Sequence, residues 1–288
     1  MDLASEIERN VTEALAEDIG AGDWTSMLTP EGRKAHATVV CRSVAVLCGQ
    51  GWFNACFREL DPSATVSWRV KEGESIDRGT SVCVIEGDTR ALLTGERTAL
   101  NFLQTLSAVA TVTRCYVDAV AGTRAAIVDT RKTLPGLRIA QKYAVRVGGG
   151  VNHRLGLYDG ILIKENHIAA AGGVTRALEQ ARQVAPRGVW IQIEVETLAQ
   201  LEEALRGGAK MILLDNMTPA EMREAVVLTA GRAQLEASGG ITLENVRVIA
   251  ETGVDRISIG SLTKDVKAVD LSMRFAEGSR NKCVSGHF

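Results

Sequence analysis

The sequence lacks the signals of a membrane, secreted or metal-finger protein. No apolar run among its 288 residues reaches the roughly 18 needed to cross a bilayer, because charged residues interrupt each candidate. The first residues contain neither the basic start nor the apolar stretch of a secretory signal peptide. The six cysteines form no C-x-x-C pair, and they are too sparse for a disulfide framework. We therefore expect a cytoplasmic protein whose thiols are reduced and mostly buried.

An excess of charge of one sign is also absent. The chain has 33 Lys and Arg residues against 35 Asp and Glu, a formal net charge of -2, which gives no reason to expect a nucleic-acid or membrane partner. Hydrophobic residues make up 45% and charged residues 24%, proportions typical of a folded protein rather than a disordered one. The length predicts one large domain, or a large domain with a smaller companion.

Two kinds of pattern divide the chain near residue 95. Before it, a leading helix is predicted from apolar residues that recur every four positions: Leu3, Ile7, Val11 and Leu15. Strands are predicted for three segments rich in β-branched residues: 37–49, 65–70 and 81–87. The acidic segment 71–80 predicts a hairpin-like connection. A long helix capped at Thr94-Gly95 is predicted to run through Val120.

From about residue 124 onward, short apolar runs alternate with amphipathic helical patterns. Six such runs each end abruptly in a polar residue: 125–129, 160–164, 189–194, 211–215, 233–238 and 256–261. Helical patterns lie between most of them: 174–182, 198–206 and 217–230. This alternation is typical of a parallel sheet covered by helices. We expect an α/β fold with an open or closed β/α barrel of six strands and room for a seventh. A doubly wound sheet is the alternative, weakened by the absence of a G-x-G-x-x-G motif after the first strand.

In a β/α barrel the loops that follow the strands gather at one face, and ligands bind there. The residues that end the predicted strands should therefore be neighbours in space. They are Asp129-Thr130-Arg131-Lys132, Lys164, Glu194, Asp215, Ser238-Gly239-Gly240 and Ser258-Ile259-Gly260. Cations, carboxylates and two Ser-Gly turns together at successive strand ends indicate a binding site.

Positive charge is concentrated between residues 131 and 164. This segment holds seven Lys and Arg residues and one acid, Asp159, a local charge of +6 in a chain of net charge -2. Such a pocket favours a polyanion, since the planar fork of arginine matches carboxylate and phosphate oxygens. For Arg138, Lys142 and Arg146 a solvated helix face explains the four-residue spacing equally well.

Glu194 and Asp215 end neighbouring strands and are expected to face this cationic pocket. Two carboxylates beside an anionic ligand fit a Mg²⁺ bridged to pyrophosphate, because Mg²⁺ keeps several waters and takes only one or two protein carboxylates. The alternative is structural ion pairing with Lys164 or Lys132.

Two turns rich in Ser and Gly also fit a phosphorylated ligand. Ser238-Gly239-Gly240 precedes a predicted helix start at 242–245, and Ser258-Ile259-Gly260 precedes Ser261. Both would expose backbone N–H groups, which late-strand loops of barrel enzymes use to bind phosphate. Small residues needed only for tight turns are the alternative.

Two of the four histidines lie in the cationic part of the chain. His153 stands beside Arg154 and shortly after three glycines, which favours contact with a ligand. His167 is expected to be structural or to support a residue that contacts the ligand.

Strings throughout the sequence resemble the quinolinate phosphoribosyltransferase family. They are EDIGAGDWTS (17–26), GERTALNFLQTLSAVAT (95–111), DTRKTLPGLR (129–138), KYAVRVGGGVNHRLGLYDGILIKENHI (142–168), EVE (194–196), LLDN (213–216), EASGGIT (236–242) and SIGSLT (258–263). The string NHRLGLYDGILIKENH is highly specific, whereas EVE and SGG alone are weak. Trp24 departs from the family, which usually has an aliphatic residue there, and this departure affects no chemistry.

The resemblance implies a two-domain architecture. An N-terminal α/β sandwich would span 1–108 and be joined by the C-terminal tail 266–288, and an incomplete seven-stranded β/α barrel would span 109–265. It also implies a homodimer in which the neighbouring subunit completes each active site, with assembly beyond the dimer left open.

The resemblance also implies roles for individual residues. Quinolinate would be held by Arg131, His153, Arg154 and Lys164, with Arg97 reaching in from the partner. The residues expected to be catalytic, which would face phosphoribosyl pyrophosphate and its Mg²⁺, are Lys132, Lys164, Glu194 and Asp215. Of these, Glu194 and Asp215 would hold the metal. The substrate site would be completed by Thr130, Ser238, Gly239, Gly240, Ser258, Ile259 and Gly260, most of them around the 5′-phosphate.

The activity implied is transfer of phosphoribosyl to quinolinate with decarboxylation, which gives nicotinate mononucleotide, CO2 and pyrophosphate in de novo NAD biosynthesis. A related transferase acting on nicotinate or another heterocyclic acid is the closest alternative, although a monocarboxylate needs fewer arginines than Arg97, Arg131 and Arg154 supply. A Schiff-base aldolase that uses Lys164 is a second alternative. A non-catalytic ligand-binding barrel is a third, and the Glu194 and Asp215 pair argues against it.

Overall fold

The structure is a computed structural model that describes residues 2–275. It divides into two compact units. The first contains the described residues up to Thr105 and those from Ala268 onward, and the second is Leu106–Lys267. Of the tail 266–288 that was expected to join the first domain, residues 276–288 lie outside the described residues.

Helices and strands alternate through most of the chain. The helices are α1 (Leu3–Ile19), α2 (Gln50–Leu60), α3 (Thr89–Ala119), α4 (Arg138–Val147), α5 (Glu165–Ala171), α6 (Val174–Val184), α7 (Leu198–Arg206), α8 (Pro219–Thr229), α9 (Val246–Ala250) and α10 (Ser261–Lys264), with a 3₁₀ turn at Ser26–Leu28. The strands are β1 (Lys34–Cys41), β2 (Ala45–Val46), β3 (Thr65–Trp68), β4 (Ser75–Ile76), β5 (Ser81–Asp88), β6 (Ala126–Val128), β7 (Gly160–Ile163), β8 (Trp190–Val195), β9 (Met211–Asp215), β10 (Gln234–Ser238), β11 (Arg256–Ser258) and β12 (Leu271–Phe275).

The first unit is built on a four-stranded antiparallel sheet in the order β12-β1-β5-β3. The segment 37–49, expected as strand throughout, divides into β1 and β2 because the two pieces pair with different partners: β2 pairs with β4 instead of joining the larger sheet. Helix α2 contributes Trp52, Phe53 and Phe57 to the core, all of them fully buried. The unit is therefore the α/β layer that the resemblance implies.

Helix α3 begins earlier than its sequence predicts. The expected cap at Thr94-Gly95 is wrong, since both residues lie inside the helix. The carboxylate of Asp88 accepts hydrogen bonds from the backbone N–H groups of Arg90 at 3.0 Å and Ala91 at 3.2 Å. A carboxylate in this position satisfies donors of the first turn that have no partner within the helix, so the helix starts beside it.

The second unit contains a six-stranded parallel sheet in the order β6-β11-β10-β9-β8-β7. Strands β7 to β11 are neighbours in chain order, whereas β6, the first along the chain, lies beside β11, the last. A doubly wound sheet would reverse its order at an internal switch point. The cyclic order is instead that of a β/α barrel left open between β6 and β7. In place of the implied seventh strand, the described residues form one isolated parallel bridge, between Val128 and Val151.

Side chains alternate in character along the later strands of this barrel. On β8 the polar Gln192 and Glu194 alternate with isoleucine and valine, and on β10 Glu236 alternates with leucine and alanine. The side chains of Gln192 and Glu236 hydrogen-bond to each other at 3.2 Å, so these two residues share the inner face. Successive residues of a strand point to opposite faces. The strands expected as continuous apolar runs are therefore apolar on the helix-covered face and partly polar inside.

Lys142 is buried, and the interpretation of its spacing as a solvated helix face is wrong for this residue. It lies on α4 with 1% of its surface exposed, and its ammonium group pairs with the fully buried Asp129 at the end of β6. The same ammonium donates to the carbonyl of His153 at 3.1 Å, and the Asp129 carboxylate accepts from the backbone N–H of His153 at 2.8 Å. This ion pair fixes the backbone of the loop that carries His153.

The other two residues of that spacing differ from Lys142. Arg146 is exposed, as a solvated face requires. Arg138 is half-buried, and its guanidinium donates to Thr133 Oγ1 at 3.1 Å and to the carbonyl of Leu155 at 3.2 Å. Only part of α4 is therefore a solvated surface.

Replacing Lys142 with methionine is expected to destabilise the protein strongly. Lys142→Met leaves the Asp129 carboxylate buried without its cation, a change that typically lowers the free energy of unfolding by about 3–5 kcal/mol. Urea unfolding followed by circular dichroism measures the loss. The matched control is Arg146→Met on the same helix, for which a change within about 0.5 kcal/mol is expected. Equal unfolding midpoints for Lys142→Met and wild type would show that the pair does not stabilise the fold.

Candidate active site

Two adjoining cavities open at the carboxyl ends of the barrel strands. The inner cavity has a volume of about 350 Å³ and the outer one about 830 Å³. Six residues that follow or end strands line both: Thr130, Lys132, Lys164, Glu194, Ser238 and Ser258. Ligands of β/α barrels bind at this face, and two linked cavities can hold two reactants side by side.

The inner cavity suits a small planar anion. Its own lining consists of two arginines, a histidine, two aliphatic side chains and one carboxylate: Arg131, Arg154, His153, Leu162, Leu213 and Glu236. The carboxylate of Glu236 is paired with Arg256, so the two arginines are the uncompensated charges. The Nε atom of Arg131 is buried and has no hydrogen-bond partner within the described chain. A buried donor of this kind is destabilising until an acceptor reaches it. The geometry therefore favours a ligand with carboxylate oxygens and an apolar ring.

His153 lies at the base of the inner cavity in a polar setting. Its Nε2 atom is 2.9 Å from Gln192 Oε1 and 3.7 Å from Glu236 Oε1. Burial lowers the pKa of His153 below its ordinary value, while the Glu236 carboxylate and the Gln192 hydrogen bond oppose this shift. The environment of the ring is therefore set by groups beneath the cavity.

Lys164 and Glu194 form an ion pair at the boundary between the two cavities. Lys164 Nζ lies 3.2 Å from Glu194 Oε2, and the Glu194 side chain is 7% exposed. Burial is the main reason that the pKa of Glu194 is raised, with the Asp215 carboxylate adding to the shift and Lys164 opposing it. His167 Nδ1 accepts from the backbone N–H of Lys164 at 3.0 Å, which is the structural role expected of His167.

The outer cavity is lined by backbone-rich turns and by three carboxylates of its own, Glu165, Asp215 and Asp265. Next to Asp215, Asn216 adopts a left-handed conformation with φ of 53° and donates from Nδ2 to Asp215 Oδ2 at 2.9 Å. Gly239 has φ of 99°, and a Cβ atom there would lie 2.0 Å from Asn216 Oδ1. Glycine is therefore required at 239 by both its backbone and its neighbour.

The structure brings nearly all of the expected site residues to these cavities. Those that line the inner or outer cavity are Thr130, Arg131, Lys132, His153, Arg154, Lys164, Glu194, Asp215, Ser238, Gly239, Gly240, Ser258, Ile259 and Gly260. Arg97 belongs to the first unit, and its contact with quinolinate stays a prediction. Asp129 also follows a strand, but its carboxylate forms the buried ion pair with Lys142.

One local prediction beside the outer cavity is wrong. The helix expected to start at 242–245 starts at Val246, and residues 243–245 form a turn. Asn245 Oδ1 accepts from the backbone N–H of Thr242 at 2.8 Å, and its Nδ2 donates to the carbonyl of Gly240 at 2.9 Å. These side-chain bonds stabilise a turn in place of the first helical residues.

Sequence reasoning missed several residues of the site. Glu236 and Leu213 line the inner cavity, and Tyr116, Asn216 and Lys264 line the outer one. A signal was present for Glu236, because a charged residue inside an otherwise apolar strand has to face something polar. No comparable signal marks Tyr116, which lies on α3, far from any strand end in the sequence.

Comparison with known proteins identifies the family. The model of the quinolinate phosphoribosyl transferase N-terminal domain matches residues 23–107, and that of the C-terminal domain matches residues 109–274. The chain belongs to the quinolinate phosphoribosyltransferase family.

Relatives within this family match the chain over most of its length. A probable nicotinate-nucleotide pyrophosphorylase (carboxylating) of Bacillus subtilis is 43% identical over 268 residues, which cover 93% of each chain. Quinolinate phosphoribosyltransferase (decarboxylating) 1b of Nicotiana tabacum is 38% identical, over 91% of this chain and 80% of its own. Quinolinate phosphoribosyltransferases are enzymes, so the chain is a decarboxylating pentosyltransferase by family.

Solved structures agree with the fold. The nicotinate-nucleotide pyrophosphorylase of Francisella tularensis superposes with a TM-score of 0.92 at 40% identity, over 96% of this chain and 98% of that one. Human nicotinic acid phosphoribosyltransferase gives a TM-score of 0.57 at 14% identity, over 94% of this chain and 74% of that one, which shows a shared fold alone. Among residues 2–275, no helix is both long and apolar enough to cross a membrane.

Among residues 2–275 the cysteines form no disulfide bond. Four of them are buried, Cys41, Cys48, Cys56 and Cys83, while Cys115 is exposed and Cys283 lies outside the described residues. Burial raises the pKa of both Cys56 and Cys83 to about 12. Thiols that stay protonated are poor nucleophiles, so these two have a packing role.

Proposed function

We propose that the protein transfers phosphoribosyl from phosphoribosyl pyrophosphate to quinolinate, with release of CO2 and pyrophosphate, in NAD biosynthesis. The observation that carries this proposal is the pair of linked cavities, in which an arginine-rich inner one adjoins a backbone-rich outer one. The relatives' names, carboxylating pyrophosphorylase and decarboxylating transferase, describe the same reaction written in opposite directions. Family membership and cavity chemistry therefore support one substrate pair.

Quinolinate fits the inner cavity by charge and shape. It is a dicarboxylate on a flat pyridine ring, and charge-assisted pairs with Arg131 and Arg154 would balance its two negative charges. The unpartnered Nε of Arg131 is the donor that such a carboxylate would satisfy. Leu162 and Leu213 offer apolar surface for the ring.

Phosphoribosyl pyrophosphate fits the outer cavity. Turns at 238–242 and 258–261 line it, and their backbone N–H groups suit the 5′-phosphate. Lys132 and Lys164 lie where both cavities meet, so they can neutralise charge near the reacting carbon.

The donor set of the outer cavity also fits Mg²⁺. Glu194 and Asp215 both line it, and the Asp215 carboxylate is close enough to raise the pKa of Glu194. Within the described chain no group of three or more His, Cys, Asp or Glu side chains forms a metal cluster. Two carboxylates suffice for Mg²⁺, which completes its shell with water and phosphate oxygens. When bound, Mg²⁺ would stabilise negative charge on the departing pyrophosphate.

The chemistry needs positioning and charge balance rather than a covalent nucleophile. The C1–pyrophosphate bond breaks with both electrons leaving on pyrophosphate, and the pyridine nitrogen donates its lone pair to the cationic ribose carbon. The bond between ring carbon C2 and its carboxylate then breaks with loss of CO2, and the electron pair left on C2 is stabilised by the adjacent cationic ring nitrogen until a proton binds there. Arginine and lysine at fixed positions align the two reactants and stabilise the charges that develop.

The quaternary state and cellular location extend this proposal. We propose a cytoplasmic homodimer in which Arg97 of each subunit contacts quinolinate bound to the other. Isologous dimers lend the same residue in both directions, which supports a shared site for a residue outside the barrel. Assembly beyond the dimer stays open.

The deciding experiment measures product release. Quinolinate and phosphoribosyl pyrophosphate should yield CO2 and pyrophosphate in equal amounts with Mg²⁺ present. Nicotinate in place of quinolinate tests the closest alternative, and borohydride trapping on Lys164 with a carbonyl substrate tests the aldolase. Turnover of nicotinate without CO2 release, with quinolinate inert, would overturn the proposal.

Removing either inner-cavity arginine should weaken quinolinate binding selectively. Arg131→Ala and Arg154→Ala each delete a charge-assisted pair of about 1.5–3 kcal/mol, which corresponds to a rise in Kd of about 10- to 150-fold. Calorimetric titration with quinolinate and, separately, with phosphoribosyl pyrophosphate measures both affinities. Arg146→Ala, an exposed arginine on α4, is the control. Unchanged quinolinate affinity in both variants would refute the assignment.

Neutralising two of the outer-cavity carboxylates should change the Mg²⁺ requirement. Glu194→Gln and Asp215→Asn each remove one negatively charged ligand of the metal. Half-maximal activity is therefore expected to need at least about tenfold more Mg²⁺, which corresponds to the free energy of one charge-assisted contact. The control is Glu202→Gln, on an exposed face of α7. The measurement is initial rate against Mg²⁺ concentration. An unaltered Mg²⁺ dependence in both variants would mean that they are structural partners of Lys164 and Lys132.

Complementation tests whether the site is shared. Arg97→Ala and Lys132→Ala should each be inactive, and mixing them should restore activity in heterodimers that carry one intact site. Random exchange makes about half the molecules heterodimers with one working site of two, so recovery should approach about a quarter of wild-type activity. The control mixture is Arg131→Ala with Lys132→Ala, which lie in one cavity and should recover nothing. Demonstrated exchange without recovery would mean that each subunit's site is self-contained.

A further inference from the structure

A polar cluster lies inside the barrel directly beneath the inner cavity. Gln192 and Glu236 are each 1% exposed, and Arg256 is 16% exposed at its side chain. The interior of a β/α barrel is ordinarily filled by Val, Ile and Leu. Burying a carboxylate is unfavourable unless it is paired and hydrogen-bonded. A cluster of this kind at the base of a ligand cavity therefore calls for a specific role.

The cluster is built by strand register. Glu236 on β10 and Arg256 on β11 are direct register partners, and Arg256 Nε lies 3.1 Å from Glu236 Oε2. Gln192 Nε2 donates to the same Oε2 at 3.2 Å. Oε2 thus accepts a hydrogen bond from Gln192 and forms an ion pair with Arg256, whose Nε makes no hydrogen bond within the described chain. The positive charge of Arg256 compensates the negative charge of the carboxylate.

The other Glu236 oxygen faces His153. Oε1 is buried without a hydrogen-bond partner among residues 2–275, and it lies 3.7 Å from His153 Nε2. Gln192 Oε1 lies 2.9 Å from the same ring nitrogen. Because a carboxylate only accepts, the Gln192 amide must turn its NH₂ toward Glu236 and its oxygen toward His153. Nε2 therefore faces two acceptors and has to carry the hydrogen.

The ring plane is fixed as well as the tautomer. Trp190 packs edge-to-face against the His153 ring, with centroids 5.1 Å apart and planes at 82°. Across residues 2–275 the polar contacts of this ring are made by Nε2, which leaves Nδ1 as the nitrogen available to a ligand in the cavity. Side chains beneath the site thus determine which ring atom a ligand meets.

We propose that Glu236 and Gln192, with Arg256 as counter-ion, are positioning residues that hold His153 as an Nε2–H donor and present its Nδ1 to quinolinate. This inference rests on the proposed function, in which His153 contacts quinolinate. Glu236 and Gln192 both act through His153: Gln192 lies behind the cavity wall, and Glu236, which belongs to the lining of the inner cavity, has its unbonded oxygen on the side of His153. Replacing either residue should therefore raise KM for quinolinate and leave KM for phosphoribosyl pyrophosphate, the substrate proposed for the outer cavity, nearly unchanged.

The first readout is the tautomer itself. Protein labelled with ¹⁵N-histidine gives distinct nitrogen shifts for the two neutral tautomers, and the His153→Asn spectrum assigns the signals of His153. Wild type is expected to show His153 protonated at Nε2. Gln192→Met, which keeps volume and removes both hydrogen bonds, is expected to show a mixture of tautomers. A mixture in wild type, or an unchanged Nε2–H form in Gln192→Met, would overturn the proposal.

The second readout is a comparison of kinetic constants. Glu236→Gln and Gln192→Met should each raise KM for quinolinate about tenfold, the scale of one weakened charge-assisted contact, and leave KM for phosphoribosyl pyrophosphate within about twofold. Combining either change with His153→Asn should add no further rise, because residues that act through one another are not additive. The matched control is Glu251→Gln, whose carboxylate pairs with Arg247 on an exposed helix surface. If Glu236→Gln does not fold, Gln192→Met gives the same test.

The two proposals fail in different ways. Wild type that releases no CO2 and pyrophosphate contradicts the proposed function, and with it this inference. Suppose instead that the wild type turns over quinolinate. Variants with an unchanged KM for quinolinate, or with effects that add fully to those of His153→Asn, would then contradict the positioning role alone. Equal rises in KM for both substrates would indicate a merely structural role and would also overturn the inference.

Discussion

The two-residue period of the parallel strands is the constraint on which the site depends. On β8 and β10 it places aliphatic side chains on the helix-covered face and polar ones inside, and register then aligns the inward residues of neighbouring strands. Glu194, Leu213, Glu236 and Arg256 are successive register partners across β8 to β11. A barrel with this inner face cannot close into an aliphatic core. It leaves space for ligands at the strand ends, with charged groups already in position there.

The position of basic residues relative to the strand ends explains how a nearly neutral chain presents a cationic pocket. Of the seven basic residues between 131 and 164, Lys142 is neutralised by Asp129 inside the fold, and Arg138 donates to a threonine and to backbone carbonyls. The cations that reach the cavities are the strand-end residues Arg131, Lys132 and Lys164, together with Arg154. Position relative to a strand end, rather than local charge density, therefore determines which cations can meet a substrate.

This distinction also explains what the sequence can predict. Strand ends are readable because an apolar run stops at a polar residue, so the sequence predicts the lining residues that lie at strand ends and misses others, among them Tyr116 and Lys264. The burial of Lys142 is not readable, because four-residue spacing on a helix is the same for a solvated stripe and for one that reaches a buried partner. The start of α3 was missed because the competing cap, Asp88, lies at the end of the preceding strand.

The residues beneath the site were harder to predict for a different reason. Gln192 and Glu236 lie within apolar runs. The charge of Glu236 indicates that it faces a polar group, but the run does not show which group that is. The contact between Gln192 and Glu236 depends on the curvature of the sheet. This curvature brings β8 and β10 within hydrogen-bond reach across the barrel, although β9 lies between them in the sheet. Curvature is a property of the closed arrangement of strands and helices, which local patterns do not contain.

The boundary between the two cavities is where the reaction has to occur. A ring nitrogen held in the inner cavity can attack a ribose carbon held in the outer one only where their linings overlap. Residues that belong to both linings, among them Lys132, Lys164 and Glu194, can therefore respond to charge that develops during the transfer. In the proposed arrangement, residues that belong to one lining, such as Arg154 inside and Gly240 outside, would contact one reactant each. Catalytic and binding roles would then be separated by place, because the same strands supply both cavities.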